Sequence, residues 1–122
     1  MEIIKSIEDF KKLESSVLTV GNYDGVHKGH QDVLKFLVRE AEKRKVPSCI
    51  ITFFPNPVYI LFNDKISVNL QSIESRLKSF KEIGIDKVLV IPFTEEFSKM
   101  SANNFAEKII KNLFNPQLIS VG

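Results

Sequence analysis

The chain has 122 residues, of which 43% are hydrophobic, and carries a formal net charge of +2. Its length is typical of one domain, and its apolar content is sufficient for a core, so we expect one globule. Its lysines are dispersed and it has neither a signal-peptide core nor an apolar run of membrane-spanning length, which predicts a cytoplasmic protein without a nucleic-acid or membrane partner.

The first clear pattern is a strand, a glycine-containing loop and a helix. Residues 17–20 are a short apolar run that predicts a strand, and the glycines after it allow a tight turn and close approach of the backbone to a ligand. Apolar residues then recur at helical spacing with charges between them, which predicts a helix beginning near Gly29; they are Val33, Leu34, Leu37, Val38 and Ala41.

The chain's two histidines, His27 and His30, lie at the start of this helix. Residues three apart share one side of a helical turn, so both imidazoles can face one ligand. The unpaired N–H groups and the dipole at a helix start favour an anion and disfavour protonated imidazole, which predicts neutral histidines donating to phosphate. The alternative is a capped turn with two surface histidines.

Two further strand and helix pairs follow. Residues 49–54 predict a buried strand, in which Cys49 is a core residue, and the loop after it carries Pro55, Asn56 and Pro57. A second helix has Ile73, Leu77, Phe80 and Ile83 on its apolar side and should end at Gly84. Residues 88–91 predict a third strand, which Pro92 closes.

The last predicted helix has Ser101 as its N-cap, with Asn104 in position to reach back to it and Met100 packed on Phe105 as a hydrophobic staple. Its predicted buried side consists of Ala106, Ile109, Ile110 and Leu113. A fourth strand begins at Leu118. Glu95 and Glu96 are expected in the first turn of a short helix.

Alternating strands and helices predict a Rossmann-like α/β fold, a parallel sheet with helices on both faces. Ligands of such folds lie beyond the carboxyl ends of the strands. The loops that follow the first three predicted strands should therefore converge on one cleft.

The run from Gly21 to His30 resembles the G-N-F-D-G-V-H-x-G-H signature of bacterial FAD synthetases, in the HxGH nucleotidyltransferase superfamily. Three later segments are similar to the family in order. They are residues 51–57 (family T-F-[DE]-P-H-P), 83–86 (L-G-V-D) and 93–97 (F-[DT]-x-x-F), with Phe54 and Asn56 replacing the usual carboxylate and histidine. The family's later segments and its riboflavin kinase domain are not found in residues 1–122, so the resemblance implies a partial nucleotidyltransferase domain, truncated after the fourth main strand.

The resemblance implies transfer of AMP from ATP to FMN, giving FAD and pyrophosphate, with Mg²⁺ bridging the phosphates. His27 and His30 are the expected catalytic residues. Gly21, Asn22, Tyr23, Asp24, Gly25 and Gly29 are expected on the ATP side, and Pro55, Asn56, Pro57, Leu61, Phe62 and Phe93 on the flavin side. Alternatives are another HxGH nucleotidyltransferase or a nucleotide-binding fragment without turnover. Truncation would also leave apolar surface uncovered, which favours self-association.

Overall fold

A computed structural model describes residues 1–23, 28–54 and 73–121. Within them, five parallel strands form one sheet in the order β1-β4-β3-β2-β5. The strands are β1 (Glu2–Ile4), β2 (Ser16–Val20), β3 (Ser48–Phe53), β4 (Lys87–Ile91) and β5 (Pro116–Val121). The four predicted strands are confirmed within two residues at each end. The three-residue β1 was not predicted; it pairs with β4.

The helices are α1 (Lys28–Arg44), α2 (Ile73–Ile83), α3 (Glu95–Ser98), α4 (Ala102–Asn104) and α5 (Phe105–Phe114). The predicted N-cap is confirmed, because the Ser101 hydroxyl accepts from the Asn104 N–H at 3.1 Å. Thr94 caps α3 in the same way, accepting from the Phe97 N–H at 3.0 Å, and Glu95 and Glu96 lie in its first turn as expected. None of the helices within the described ranges is both long and apolar enough to cross a membrane.

Two residues predicted on buried helix faces are instead exposed, Ala106 in α5 and Val33 in α1. The α5 helix is of the π type, whose hydrogen bonds span five residues, so its buried side recurs at wider spacing, through Phe105, Ile109 and Phe114. Ala106 falls outside that row. Val33 lies next to Leu118 and Ile119 at the β5 edge of the sheet, where the described chain does not cover it.

The core lies on both faces of the sheet, as predicted. Alternate residues of each strand point to opposite faces, so Ile50 packs with α1 and α2, whereas Cys49 and Ile51 pack with Phe10 and α5. Cys49 is fully buried, and burial raises the pKa of its thiol to about 12. The prediction that Cys49 is a core residue is confirmed.

Gly84 ends α2, as predicted, in a left-handed conformation with φ of +106°. Its N–H donates to Lys81 O at 3.1 Å, and the Ile85 N–H donates back to Phe80 O at 3.1 Å, which together form a Schellman motif. Asp86 then accepts from the Ser48 N–H at 3.0 Å. The Gly84 to Asp86 segment therefore serves structure at the amino ends of β3 and β4.

The order of the strands reverses at β2. From β2 the chain moves outward through β3 to β4, and then returns to place β5 on the other side of β2. In α/β sheets of this kind, the crevice outside the carboxyl end at such a reversal is the usual ligand site. The residues that follow Val20 therefore occupy the position where the topology predicts a ligand.

Candidate functional site

The turn Gly21–Asn22–Tyr23 follows β2 at this reversal and is tied to β3. The Gly21 N–H donates to Ile51 O at 3.0 Å, and the Thr52 hydroxyl donates to Asn22 O at 2.9 Å. Gly21 itself is buried. These bonds fix the backbone of the turn, which we call the polar turn (residues 21–23), against the end of the neighbouring strand.

Asn22 carries a buried acceptor that has no donor within the described residues. Its side-chain Oδ1 is shielded from solvent and makes no hydrogen bond there. A buried acceptor left without a donor costs about 1–3 kcal/mol, so such an atom calls for a partner. A ligand hydroxyl, an amino group or a water molecule would supply that donor.

Tyr23 has an uncommon backbone conformation, with φ of +54° at a non-glycine residue. A left-handed conformation costs an L-residue roughly 1–2 kcal/mol, and the surroundings of the side chain compensate for it. The residue is 4% exposed. Its hydroxyl is 2.5 Å from the Thr19 hydroxyl, and its ring meets the rings of both His30 and Phe80 edge-on.

The first turn of α1 carries Gly29 and His30. That turn has no acidic residue, so its free N–H groups and positive dipole end are not compensated within it. Within the described residues, a methyl group added at Gly29 would meet no atom within 4 Å apart from its chain neighbours and the backbone of its own helix. His30 is half-buried, with its Nδ1 atom shielded from solvent. The helix start therefore combines an anion-favouring field, a histidine and open space.

Arg76 also lies in this region, although the sequence did not predict a role for it. It is 1% exposed, and its guanidinium donates to the Thr52 hydroxyl and to Phe53 O, each at 2.9 Å. Through Thr52 it supports the polar turn from α2. An arginine in an amphipathic helix usually lies at the surface. The helical spacing of the apolar residues therefore could not predict that Arg76 is buried.

Four phenylalanines gather beyond the carboxyl ends of β3 and β4, and we call them the aromatic cluster: Phe53, Phe93, Phe97 and Phe105. The Phe93 ring meets Phe53 and Phe97 edge-on, with 5.7 Å between centroids in each pair. A cavity of about 270 Å³ opens beside these rings. An apolar cavity of this kind suits a flat aromatic group.

The structure thus places the described members of the predicted site at the carboxyl edge of the sheet. Gly21, Asn22, Tyr23, Gly29 and His30 are grouped after β2, and Phe93 follows β4. Phe54, which departs from the carboxylate usual in the family pattern, holds its ring 6.0 Å from Arg76 Cζ. The other predicted residues lie outside the described ranges: Asp24, Gly25, His27, Pro55, Asn56, Pro57, Leu61 and Phe62.

Within the described ranges, no three His, Cys, Asp or Glu side chains are grouped closely enough to hold a metal ion. Asp24 and His27 lie outside those ranges.

The order of the strands and the polar turn at their reversal define a Rossmann-like α/β protein. A sequence model of the FAD synthetase family matches residues 9–122. The chain therefore belongs to the FAD synthetase family, which confirms the resemblance.

Curated relatives extend well beyond the matched region. The bifunctional riboflavin kinase/FMN adenylyltransferase of Escherichia coli K12 is 32% identical over 124 residues, which cover all of this chain and 40% of the relative. The protein of the same name from Buchnera aphidicola of Schizaphis graminum is 35% identical over 123 residues, or 39% of its length. A crystal structure named macrolide-efflux protein, from Streptococcus pneumoniae, matches with a TM-score of 0.82 and 25% identity, over the whole chain and 48% of that protein. The chain thus spans about two fifths of the length of these curated relatives.

Proposed function

We propose that this chain provides the nucleotide-binding part of an FMN adenylyltransferase. In the reaction, a phosphate oxygen of FMN attacks the α-phosphorus of ATP. The bond from that phosphorus to the bridging oxygen breaks, and pyrophosphate leaves. Magnesium enters with ATP as part of the substrate.

The observation that carries this proposal is the combination found after β2. A helix start with no acidic residue in its first turn favours the triphosphate, and the open space at Gly29 admits the nucleoside. The Asn22 Oδ1 acceptor takes a donor from the nucleotide or its water. His30 donates to the phosphates as negative charge moves to the leaving group. Tyr23 contributes its backbone, because its ring is buried. His27, Asp24 and Gly25 complete this side of the proposed site.

The flavin is proposed to lie on the aromatic cluster. Phe93 supplies an apolar wall for the isoalloxazine ring, together with the loop residues Pro55, Asn56, Pro57, Leu61 and Phe62. The two halves of the proposed site are joined by Thr52 and Phe53, consecutive residues at the end of β3. Such a junction suits a reaction that aligns two bound substrates.

Isothermal titration calorimetry with MgATP tests the nucleotide half directly. We expect weak binding that disappears in magnesium-free buffer or with pyrophosphate as a competitor. A folded chain that gives no heat with MgATP would contradict the proposal. Binding of CTP in preference to ATP would favour another HxGH nucleotidyltransferase.

Turnover is proposed to need more than residues 1–122, since the curated relatives continue well beyond the matched region. We expect little FAD from the chain itself. A chimera in which it replaces the matching 40% of the Escherichia coli relative should form FAD. Chromatography of FMN and FAD compares them, and equal rates would show that the remaining length is dispensable.

We also propose that the chain self-associates through the β5 edge. Phe36 and Val33 on α1 lie beside β5, whose Ile119 and Val121 are exposed as well, with Val121 at 80%. An exposed strand edge flanked by apolar side chains favours pairing between copies. Sedimentation velocity should show an oligomer that Phe36→Glu weakens and that Phe54→Glu, at an exposed phenylalanine elsewhere, leaves intact. A monomer at all concentrations would contradict the proposed self-association.

The cytoplasmic location, like the self-association, stays a prediction.

A further inference from the structure

The ring of Tyr23 is wedged between the first turn of α1 and the core. It meets the His30 ring at 5.3 Å between centroids with planes at 81°, and the Phe80 ring on α2 at 6.0 Å with planes at 88°. Both contacts are edge-on, the arrangement that aromatic rings prefer to a stacked sandwich. The polar turn thus supplies, through Tyr23, an aromatic ring that packs against His30.

Tyr23 is itself held from β2. Thr19, four residues earlier and fully buried, lies on the same face of the sheet, and its hydroxyl pairs with the Tyr23 hydroxyl at 2.5 Å. Burial raises the pKa of the phenol, so the hydroxyl stays protonated and able to share this bond. Because Tyr23 sits at φ +54°, a conformation its own backbone disfavours, the side-chain contacts hold the turn in place.

We propose that Tyr23 is a positioning residue for His30, and that the Thr19 hydroxyl fixes the orientation of the Tyr23 ring. The inference deepens the proposed function, on which it rests for the role of His30 as a phosphate donor. A histidine at a helix start keeps several side-chain conformations, and a ring packed against it restricts their number. Restricting them before the nucleotide arrives removes part of the ordering cost of binding.

The two histidines make a direct test possible, because their ring protons give separate, sparse NMR signals, and His27→Asn assigns those of His30. In the free chain we expect Tyr23→Leu to move the His30 signals toward the values of an unstructured histidine. Tyr23→Phe keeps the ring but loses the bond to Thr19, so its His30 signals should lie between those of the unaltered chain and those of Tyr23→Leu. Phe80→Leu is the matched control: Phe80 touches Tyr23 but makes no ring contact with His30 among the aromatic pairs described, so it should lower stability and leave the His30 signals in place.

Thr19→Val keeps the shape of the side chain and removes its hydroxyl. It therefore tests whether Tyr23 positions His30 even if Tyr23→Leu does not fold. We expect broadened or shifted His30 signals in a folded Thr19→Val chain. Affinity for MgATP should fall by about threefold to tenfold in Tyr23→Leu, the size of one aromatic pair contact.

Unchanged His30 signals in both Tyr23→Leu and Thr19→Val would overturn the proposal, as would equal changes in Phe80→Leu. The NMR comparison needs no nucleotide. If MgATP does not bind the unaltered chain, the proposed function fails while the positioning of His30 is still decided by these signals.

Discussion

The polar turn and the aromatic cluster lie at the same edge of one sheet but are built by opposite means. The turn is held by directional bonds: Gly21, Asn22 and Tyr23 each have a named hydrogen-bond partner on β2 or β3. The side chains of the cluster meet one another through ring packing, with Phe93 and Phe97 edge-on. Hydrogen bonds fix an atom's position, whereas ring contacts tolerate shifts. The difference is in keeping with the proposal that the polar turn aligns a reacting group and the aromatic cluster holds the flat flavin ring.

The largest effect is expected from His30, on the side of the polar turn. In the chimera with the Escherichia coli relative, His30→Ala should lower kcat by about a hundredfold or more, the effect of removing one preorganised donor. Thermal unfolding should change little, because His30 is half-buried at a helix end. Near-full activity would remove His30 from the mechanism.

Phe93→Ala tests the aromatic side. Loss of a ring that contacts the flavin should weaken FMN binding by about thirtyfold and leave ATP affinity within about twofold. Phe36→Ala, at an exposed phenylalanine on α1, is the control and should affect neither ligand. FMN fluorescence quenching measures the first quantity and calorimetry the second. An equal loss for both ligands would mean that the two sides are not separate.

Gly29→Ala should change stability and nucleotide binding in opposite directions. The added methyl group clashes with nothing in the described part of the chain, and alanine is favoured over glycine in a helix by up to about 1 kcal/mol. The melting temperature should therefore rise or stay level. The same methyl group would crowd a nucleoside placed there and weaken ATP binding by about tenfold. A stabilised chain with unchanged affinity would place the nucleoside elsewhere.

Asn22→Ala should have the smallest effect. It removes a buried acceptor that has no donor in the described chain, so unfolding free energy should not fall, while ATP affinity should fall about fivefold through loss of one hydrogen bond. Urea unfolding and calorimetry on the same preparation provide both values. A loss of stability would show that Oδ1 already has a structural partner.

The sequence predicted the strands and helices that have strong periodicity, and it located the polar turn because glycine loops and paired histidines are local signals. It missed β1, since three residues are too few to show a period. It misplaced Ala106 because the pattern assumed 3.6 residues per turn where α5 is wider. The roles of Tyr23 and Arg76 depend on long-range contacts with His30, Thr52 and Phe53, and such contacts leave no spacing pattern.

Because Cys49 is buried in β3, the reactivity of its thiol measures how often the sheet opens locally. A thiol with a pKa of about 12 in the middle strands of the sheet is shielded from reagents that require thiolate and access. Its rate of modification under native conditions therefore tracks the fraction of molecules in which β3 has separated from the sheet. Cys49 is the chain's one cysteine, so no introduced label is needed, and a ligand that binds only the folded chain should slow the modification.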